Sequence, residues 1–83
     1  LHFPNPSREN VMLEFDLSSN QSLHFRIVDV SGREIYFDQQ SYSQGRGIKT
    51  IQISDWESGV YFVSVYDHNS SVPLVSGLKL FKY

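Results

Sequence analysis

Residues 23–37 read Leu-His-Phe-Arg-Ile-Val-Asp-Val-Ser-Gly-Arg-Glu-Ile-Tyr-Phe, and this stretch decides the fold. Leu23, Phe25 and Ile27 alternate with His24, Arg26 and Val28, the period-two pattern of a strand with one buried face. At Asp29-Val30-Ser31-Gly32 the pattern breaks. Asp and Ser side chains can bond their own backbone there, and Gly32 can take a positive φ. Alternation resumes from Arg33 to Phe37, with Ile35 and Phe37 on one face. Two alternating runs around a glycine-containing break predict a β-hairpin. A hairpin alone is marginal in water, so other strands must cover its apolar face.

Those strands lie on either side of it. Val11, Leu13, Phe15 and Leu17 alternate with Met12, Glu14 and Asp16. Gln39 to Gly47 is polar and holds two glycines, which predicts a loop or a frayed strand end. Ile51 and Ile53 point inward from the next strand, with Thr50 and Gln52 outward. Ser54 to Gly59 reads as a turn, or one helical turn capped by Ser54. Val60 to Tyr66 is apolar on both faces, as in a central strand, with Tyr61, Val63 and Val65 on one of them. Leu74 to Tyr83 supplies the last strand, with Leu78 and Leu80 inward and Lys79 and Phe81 opposite. At the start, Pro4 and Pro6 lack N–H donors, which limits Leu1 to Arg8 to a short edge strand or entry turn with Phe3 against the core. The expected core is Leu13, Phe15, Leu23, Phe25, Ile27, Ile35, Ile51, Ile53, Tyr61, Val63 and Val65. Six or seven short strands with no helical periodicity predict an all-β fold, a small antiparallel β-sandwich of one domain over residues 1–83.

Composition narrows function. The 83 residues carry seven basic and nine acidic side chains, a net charge of -2. Nucleic-acid binding needs a concentrated basic surface, so no nucleic-acid partner is expected. No apolar run approaches the ~20 residues of a membrane span. Without cysteine there is no disulfide framework and no thiolate metal site. The chain starts at Leu1 without a signal peptide, and is expected to be a fragment of a larger protein. His2, His24 and His68 have no metal-ligand spacing and read as surface residues. Ser31-Gly32 and Ser58-Gly59 are not nucleophile elbows. Asp29, Asp38, Asp55, Glu57 and Asp67 fall near turns, where Asp is favoured for backbone reasons. Gly45-Arg46-Gly47 opens no helix that could cradle a phosphate. The expectation is a protein that is not an enzyme and holds no metal or cofactor.

Three motifs stand in fixed order: Phe3-Pro4-Asn5-Pro6, Val28-Asp29-Val30-Ser31-Gly32-Arg33 and Gly59-Val60-Tyr61-Phe62-Val63. A Lys-bearing strand, Leu78-Lys79-Leu80-Phe81-Lys82, follows. Together they resemble the C-terminal sorting domain of cargo proteins of the bacterial type IX secretion system. The likeness spans the whole chain. In one departure, Trp56 stands three residues before Gly59, where the family usually has Leu. The resemblance implies a seven-stranded, Ig-like β-sandwich; the alternating strands without helical periodicity predict a cooperative monomer or weak dimer. The resemblance also implies a route: the periplasm in transit, recognition by the outer-membrane translocon, then the cell surface or the medium. A sortase-like cysteine peptidase commonly removes the domain and attaches the cargo to the surface. Pro4, Asn5, Pro6, Asp29, Gly32, Arg33, Gly59, Tyr61, Lys79 and Lys82 are the implied recognition residues.

Local structure accounts for many of the same residues. Pro4-Asn5-Pro6 can fix a turn, Asp29 and Gly32 can make the hairpin, and Lys79 and Lys82 can be solvated charges that blunt an edge. Arg33 is different, because a turn does not require a guanidinium; it is expected either to meet the translocon or to pair with Asp29 or Glu34. The competing functional class is a carbohydrate- or protein-binding β-sandwich using Tyr36, Tyr42, Trp56, Phe62 and Tyr66 as exposed aromatics. A structural spacer is the third.

Overall fold

The computed structural model describes residues 9–70 and 73–83, and these form six strands. They are β1 (Asn10–Leu17), β2 (Gln21–Asp29), β3 (Glu34–Tyr42), β4 (Gly45–Gln52), β5 (Gly59–Asp67) and β6 (Pro73–Lys82). All pairings are antiparallel, in a sheet of β1 with β4 and a sheet ordered β3-β2-β5-β6. The β2–β3 hairpin forms as predicted, and β5 is a central strand between β2 and β6. The expected seventh strand is not among the described residues. The predicted entry segment with Phe3, Pro4, Asn5 and Pro6 lies outside them.

The two sheets face each other across one apolar core. Val11, Leu13 and Leu17 of β1 and Ile51 of β4, with Ile53 just beyond it, meet Leu23, Phe25 and Ile27 of β2, Tyr61, Val63 and Val65 of β5 and Leu80 of β6. Each is an alternate residue of its strand, so burying one face removes the whole set from water. Each fully buried side chain contributes roughly 1.5–3 kcal/mol before the cost of ordering the chain. Phe15 is only partly buried, because its ring lies over Gly47, its partner across β1 and β4. A Cβ on Gly47 would collide with that ring. The glycine predicted as a loop signal is instead a strand residue making room for an aromatic.

β3 departs most from expectation. It runs unbroken to Tyr42, and only Ser43 and Gln44 separate it from β4, so the polar Gln39–Gly47 segment is mostly strand. Ile27 pairs with Tyr36 but Val28 pairs with Glu34, which leaves Ile35 as an extra residue in a β-bulge. The bulge reverses the faces beyond it. Tyr36, Asp38, Gln40 and Tyr42 turn towards β4, whereas Phe37 turns out and is 53% exposed. Ile35, expected in the core, packs against it only partly buried, and the bulge separates it from Phe37, with which it was expected to share a face.

A polar inner face on β3 needs a polar partner, and Lys49 of β4 provides it. Its side chain is buried, and Nζ reaches the Asp38 carboxylate and, at 3.4 Å, Gln40 Oε1. Burial alone pulls the Lys49 pKa down, but the hydrogen bonds that its ammonium donates to Asp38 and Tyr36 outweigh it and leave the ammonium harder to deprotonate than usual. Asp38 is held below the ordinary carboxylate value, first by the Lys49 hydrogen bond and then by the Gln39 N–H. This pair ties one sheet to the other. Ser54 to Ser58 forms a turn closed by Trp56 N–H donating to the Ile53 carbonyl at 3.0 Å, without the helical turn allowed for Ser54.

Candidate recognition site at one end of the sandwich

The register of the larger sheet gathers motifs that are far apart in the chain. Asp29, the last residue of β2, lies opposite Tyr61 of β5; Tyr61 lies opposite Leu80 of β6; and Gly59, the first residue of β5, lies opposite Lys82. Asp29, Gly32, Arg33, Gly59, Tyr61 and Lys82 therefore share one end of the molecule. The Ile53–Trp56 turn comes to the same end, and Asp29, Arg33, Asp55, Trp56, Gly59 and Tyr61 help line a cleft of about 450 Å³ there.

Asp29 organises the hairpin turn. Its Oδ1 accepts the Ser31 N–H at 3.0 Å, the Ser31 hydroxyl at 2.6 Å and the Arg33 N–H at 3.0 Å. The backbone closes around it, with Gly32 N–H donating to the Asp29 carbonyl at 3.0 Å. Gly32 has φ +87°, a left-handed conformation that glycine adopts without a Cβ penalty. The carboxyl pKa is depressed, chiefly by the Ser31 hydroxyl and further by the two backbone N–H donors and the Arg33 charge, against an opposing push from burial. Arg33 Nε donates to Asp29 Oδ2 at 3.2 Å, which is the intramolecular pair weighed above, while Glu34 pairs instead with Arg26 at 3.0 Å. The Arg33 side chain is nevertheless 74% exposed, so most of the guanidinium faces solvent.

Tyr61 forms the wall of the cleft. Its hydroxyl donates to the Glu57 carbonyl at 2.6 Å and thereby fixes the preceding loop. Burial raises its pKa, helped by the Glu57 and Asp29 charges. Trp56 packs beside it with ring centroids 5.0 Å apart, and beyond it lies Tyr36 at 6.4 Å. Trp56 thus fills, as an apolar residue against the core, the place at which the motif departs from the family pattern. Tyr36, Tyr42 and Trp56 all pack on the core rather than standing free as an aromatic binding platform.

The two lysines of the last strand part company. Lys79 lies opposite Phe62 on the outer face and is exposed. Lys82 is buried instead of solvated, with its Nζ donating to the Tyr83 carbonyl at 2.8 Å. Alternation with inward Leu80 was the available signal for Lys82, masked by its charge. Two histidines read as separate surface residues also meet: His24 and His68 are 3.0 Å apart, nitrogen to nitrogen. No local spacing foretells this, because the fold brings them together. Pro4, Asn5 and Pro6 remain outside the described residues.

The Asp29 carboxylate spends its acceptors on the turn and its own ion pair. Among the described residues no three His, Cys, Asp or Glu side chains are grouped to hold a metal ion, and no helix is long and apolar enough to cross a membrane.

A two-sheet β-sandwich with sequence motifs converging on one end defines the class to which this molecule belongs. The chain matches the family model of the secretion system C-terminal sorting domain over residues 2–74. It belongs to that family, the sorting domains of type IX secretion, whose signal implies export to the cell surface or beyond. No curated protein matches it.

Proposed function

We propose that this domain delivers its parent protein from the periplasm to the outer-membrane type IX translocon, and that the end of the sandwich bearing Asp29, Gly32, Arg33, Gly59 and Tyr61 is the surface that the translocon reads. Pro4, Asn5, Pro6, Lys79 and Lys82 belong to the same signal. A sortase-like cysteine peptidase then acts on the delivered protein, which is attached to the cell surface or released. The observation that carries this reading is the convergence of two separate motifs on one cleft, with an exposed guanidinium at its rim. The turn needs the Asp29 carboxylate, but it does not need the Arg33 side chain.

The test is a periplasmic reporter with this domain fused to its C-terminus, expressed in a host with a type IX system. The intact domain should carry the reporter to the surface or the medium. Arg33→Ala should reduce export while the melting temperature of the isolated domain barely moves. A reporter with the intact domain that stays in the periplasm overturns the sorting function. Undiminished export of the Arg33→Ala fusion removes Arg33 from the recognised surface.

A further inference from the structure

On the outer face of the larger sheet, the strand register creates a pair of imidazoles. His24 of β2 lies opposite Tyr66 of β5, and the His68 N–H donates to the Ser22 carbonyl at 2.8 Å, extending the same pairing by two residues. His24 and His68 are therefore diagonal neighbours on one face, the relation in which long side chains touch across an antiparallel pair. Their rings meet with Nε2 of His24 and Nδ1 of His68 3.0 Å apart.

Both positions are preorganised. His68 sits in a tight turn, with Ser70 N–H donating to the Asp67 carbonyl at 3.0 Å and Asn69 N–H to Asp67 Oδ1 at 3.0 Å. Gln21 Nε2 anchors the other Asp67 oxygen at 2.9 Å. His24 sits in the middle of a paired strand, and the Phe37 ring stands edge-on beside it at 5.5 Å.

We propose that His24 and His68 form a two-imidazole binding site for a divalent transition-metal ion of the Ni²⁺, Cu²⁺ or Zn²⁺ type. Metal–imidazole bonds of about 2.0–2.1 Å place two ligand nitrogens roughly 2.8–3.4 Å apart for angles between 90° and tetrahedral. The observed separation of 3.0 Å falls in that range before any ring has moved. In the free protein the two ring nitrogens share one hydrogen bond, with donor and acceptor set by the tautomers. Metal binding displaces the shared proton to solvent and gives both lone pairs to the ion. Imidazole selects these ions over Ca²⁺ and Mg²⁺, which prefer oxygen ligands. No third His, Cys, Asp or Glu among the described residues joins the pair, so water completes the coordination. The site is therefore exchangeable. Occupied, it clips the β5–β6 connection to β2.

Thermal melts of the whole 83-residue chain with NiCl₂ or ZnCl₂ test this. The metal should raise the melting temperature in a concentration-dependent way, because it binds the folded state preferentially, and EDTA should reverse the shift. His24→Gln and His68→Gln should each weaken Ni²⁺ binding by about tenfold or more, the loss already seen when mere supporting partners of metal ligands are removed. His2→Gln, which removes the chain's other histidine, should leave the shift intact. Circular dichroism of each variant without metal checks that it is folded. Four results would overturn the site: no shift in the parent chain, a shift that survives either single substitution, one lost with His2→Gln, or an equal shift with CaCl₂.

Discussion

Two aspartate ion pairs among the described residues, Lys49–Asp38 and Arg33–Asp29, invert each other. In Lys49–Asp38 the cation is the covered partner, its side chain 9% exposed against 44% for the acid. In Arg33–Asp29 the acid is covered, at 18%, and the cation is open, at 74%. Lys49 reaches from one sheet to the other and lies 5.5 Å from the centre of the Phe25 ring and 5.9 Å from that of Tyr36. Its charge has few other places to go. Asp29 has three donors besides the Arg33 side chain, all from within its own turn. The covered member is the one the fold must satisfy. The open member is indispensable only where its removal strands a buried charge. That is true of Asp38 and untrue of Arg33, which leaves Arg33 available to a partner.

The largest effect is expected where the buried pair rests on the core. Phe25→Ala should cost about 3–5 kcal/mol, a usual figure for a buried phenylalanine, and it also removes the ring beside Lys49. That loss could unfold a domain of total stability about 5–15 kcal/mol. A loss under about 1 kcal/mol in urea unfolding would show that Phe25 is not a core residue. Next comes the pair itself. Stranding a fully buried charge costs about 3–5 kcal/mol; Asp38 is half exposed and Gln40 remains, so Asp38→Ala should cost about 1–3 kcal/mol. Lys49→Met keeps the length, drops the charge and leaves an acid that water can reach, so it should be close to neutral or stabilising. If Lys49→Met proves the costlier of the two, the covered-member rule fails.

Acid should erase the same contribution. Folding depresses the Asp38 pKa below its ordinary 3.8, so the stabilisation is fully present above 3.8 and is lost as pH falls below it through the folded value. At the other limit the Lys49 pKa is raised above 10.5, so its contribution holds below 10.5 and fades as pH climbs through the raised value. Urea midpoints of the parent chain and Asp38→Asn, compared across pH, should differ by a constant amount near neutrality and converge below 3.8. A difference that persists undiminished to the acid limit would rule out ionisation as its source.

Both pairs bear on what the sequence could disclose. Alternation in β1, β2 and β5 identifies inward residues because β1 with β4, and β2 with β5, pair without a shift of register. β3 defeats the same reading, because one extra residue at Ile35 exchanges the faces and alternation carries no mark of a bulge. Lys49 and Lys82 fall on inward positions of alternating strands, but their charge argues for the surface until a partner is known, and the Asp38 partner lies across the sheets. The Asp29–Gly32 turn is legible because its chemistry is local: an acceptor followed by donors two and four residues on, and a glycine for the left-handed step. The meeting of that turn with Tyr61 and Gly59 depends on sheet order, and the His24–His68 pair on register over 44 residues, so no local pattern contains them.

Two double-mutant cycles sharpen the comparison to its smallest term. One uses Asp38→Asn with Lys49→Met, the other Asp29→Asn with Arg33→Ala. A cycle isolates what two side chains do to each other from what each does to the rest of the fold. In the first, the coupling should be plainly favourable, because Asp38→Asn leaves a covered ammonium without its counter-charge and Lys49→Met removes that ammonium. In the second, Asp29→Asn should destabilise through the turn, since an amide is a weaker acceptor for Ser31 and the Arg33 N–H and its other end now donates. Arg33→Ala should do almost nothing, because exposed ion pairs gain little Coulomb energy in water and spend side-chain entropy to form. The coupling between Asp29 and Arg33 should then be indistinguishable from zero, and adding salt should not change it. A coupling as large as that of Lys49 and Asp38 would mean that Arg33 is committed to the fold. Its side chain would no longer be free for the translocon, and loss of export in Arg33→Ala would have to be read as loss of structure.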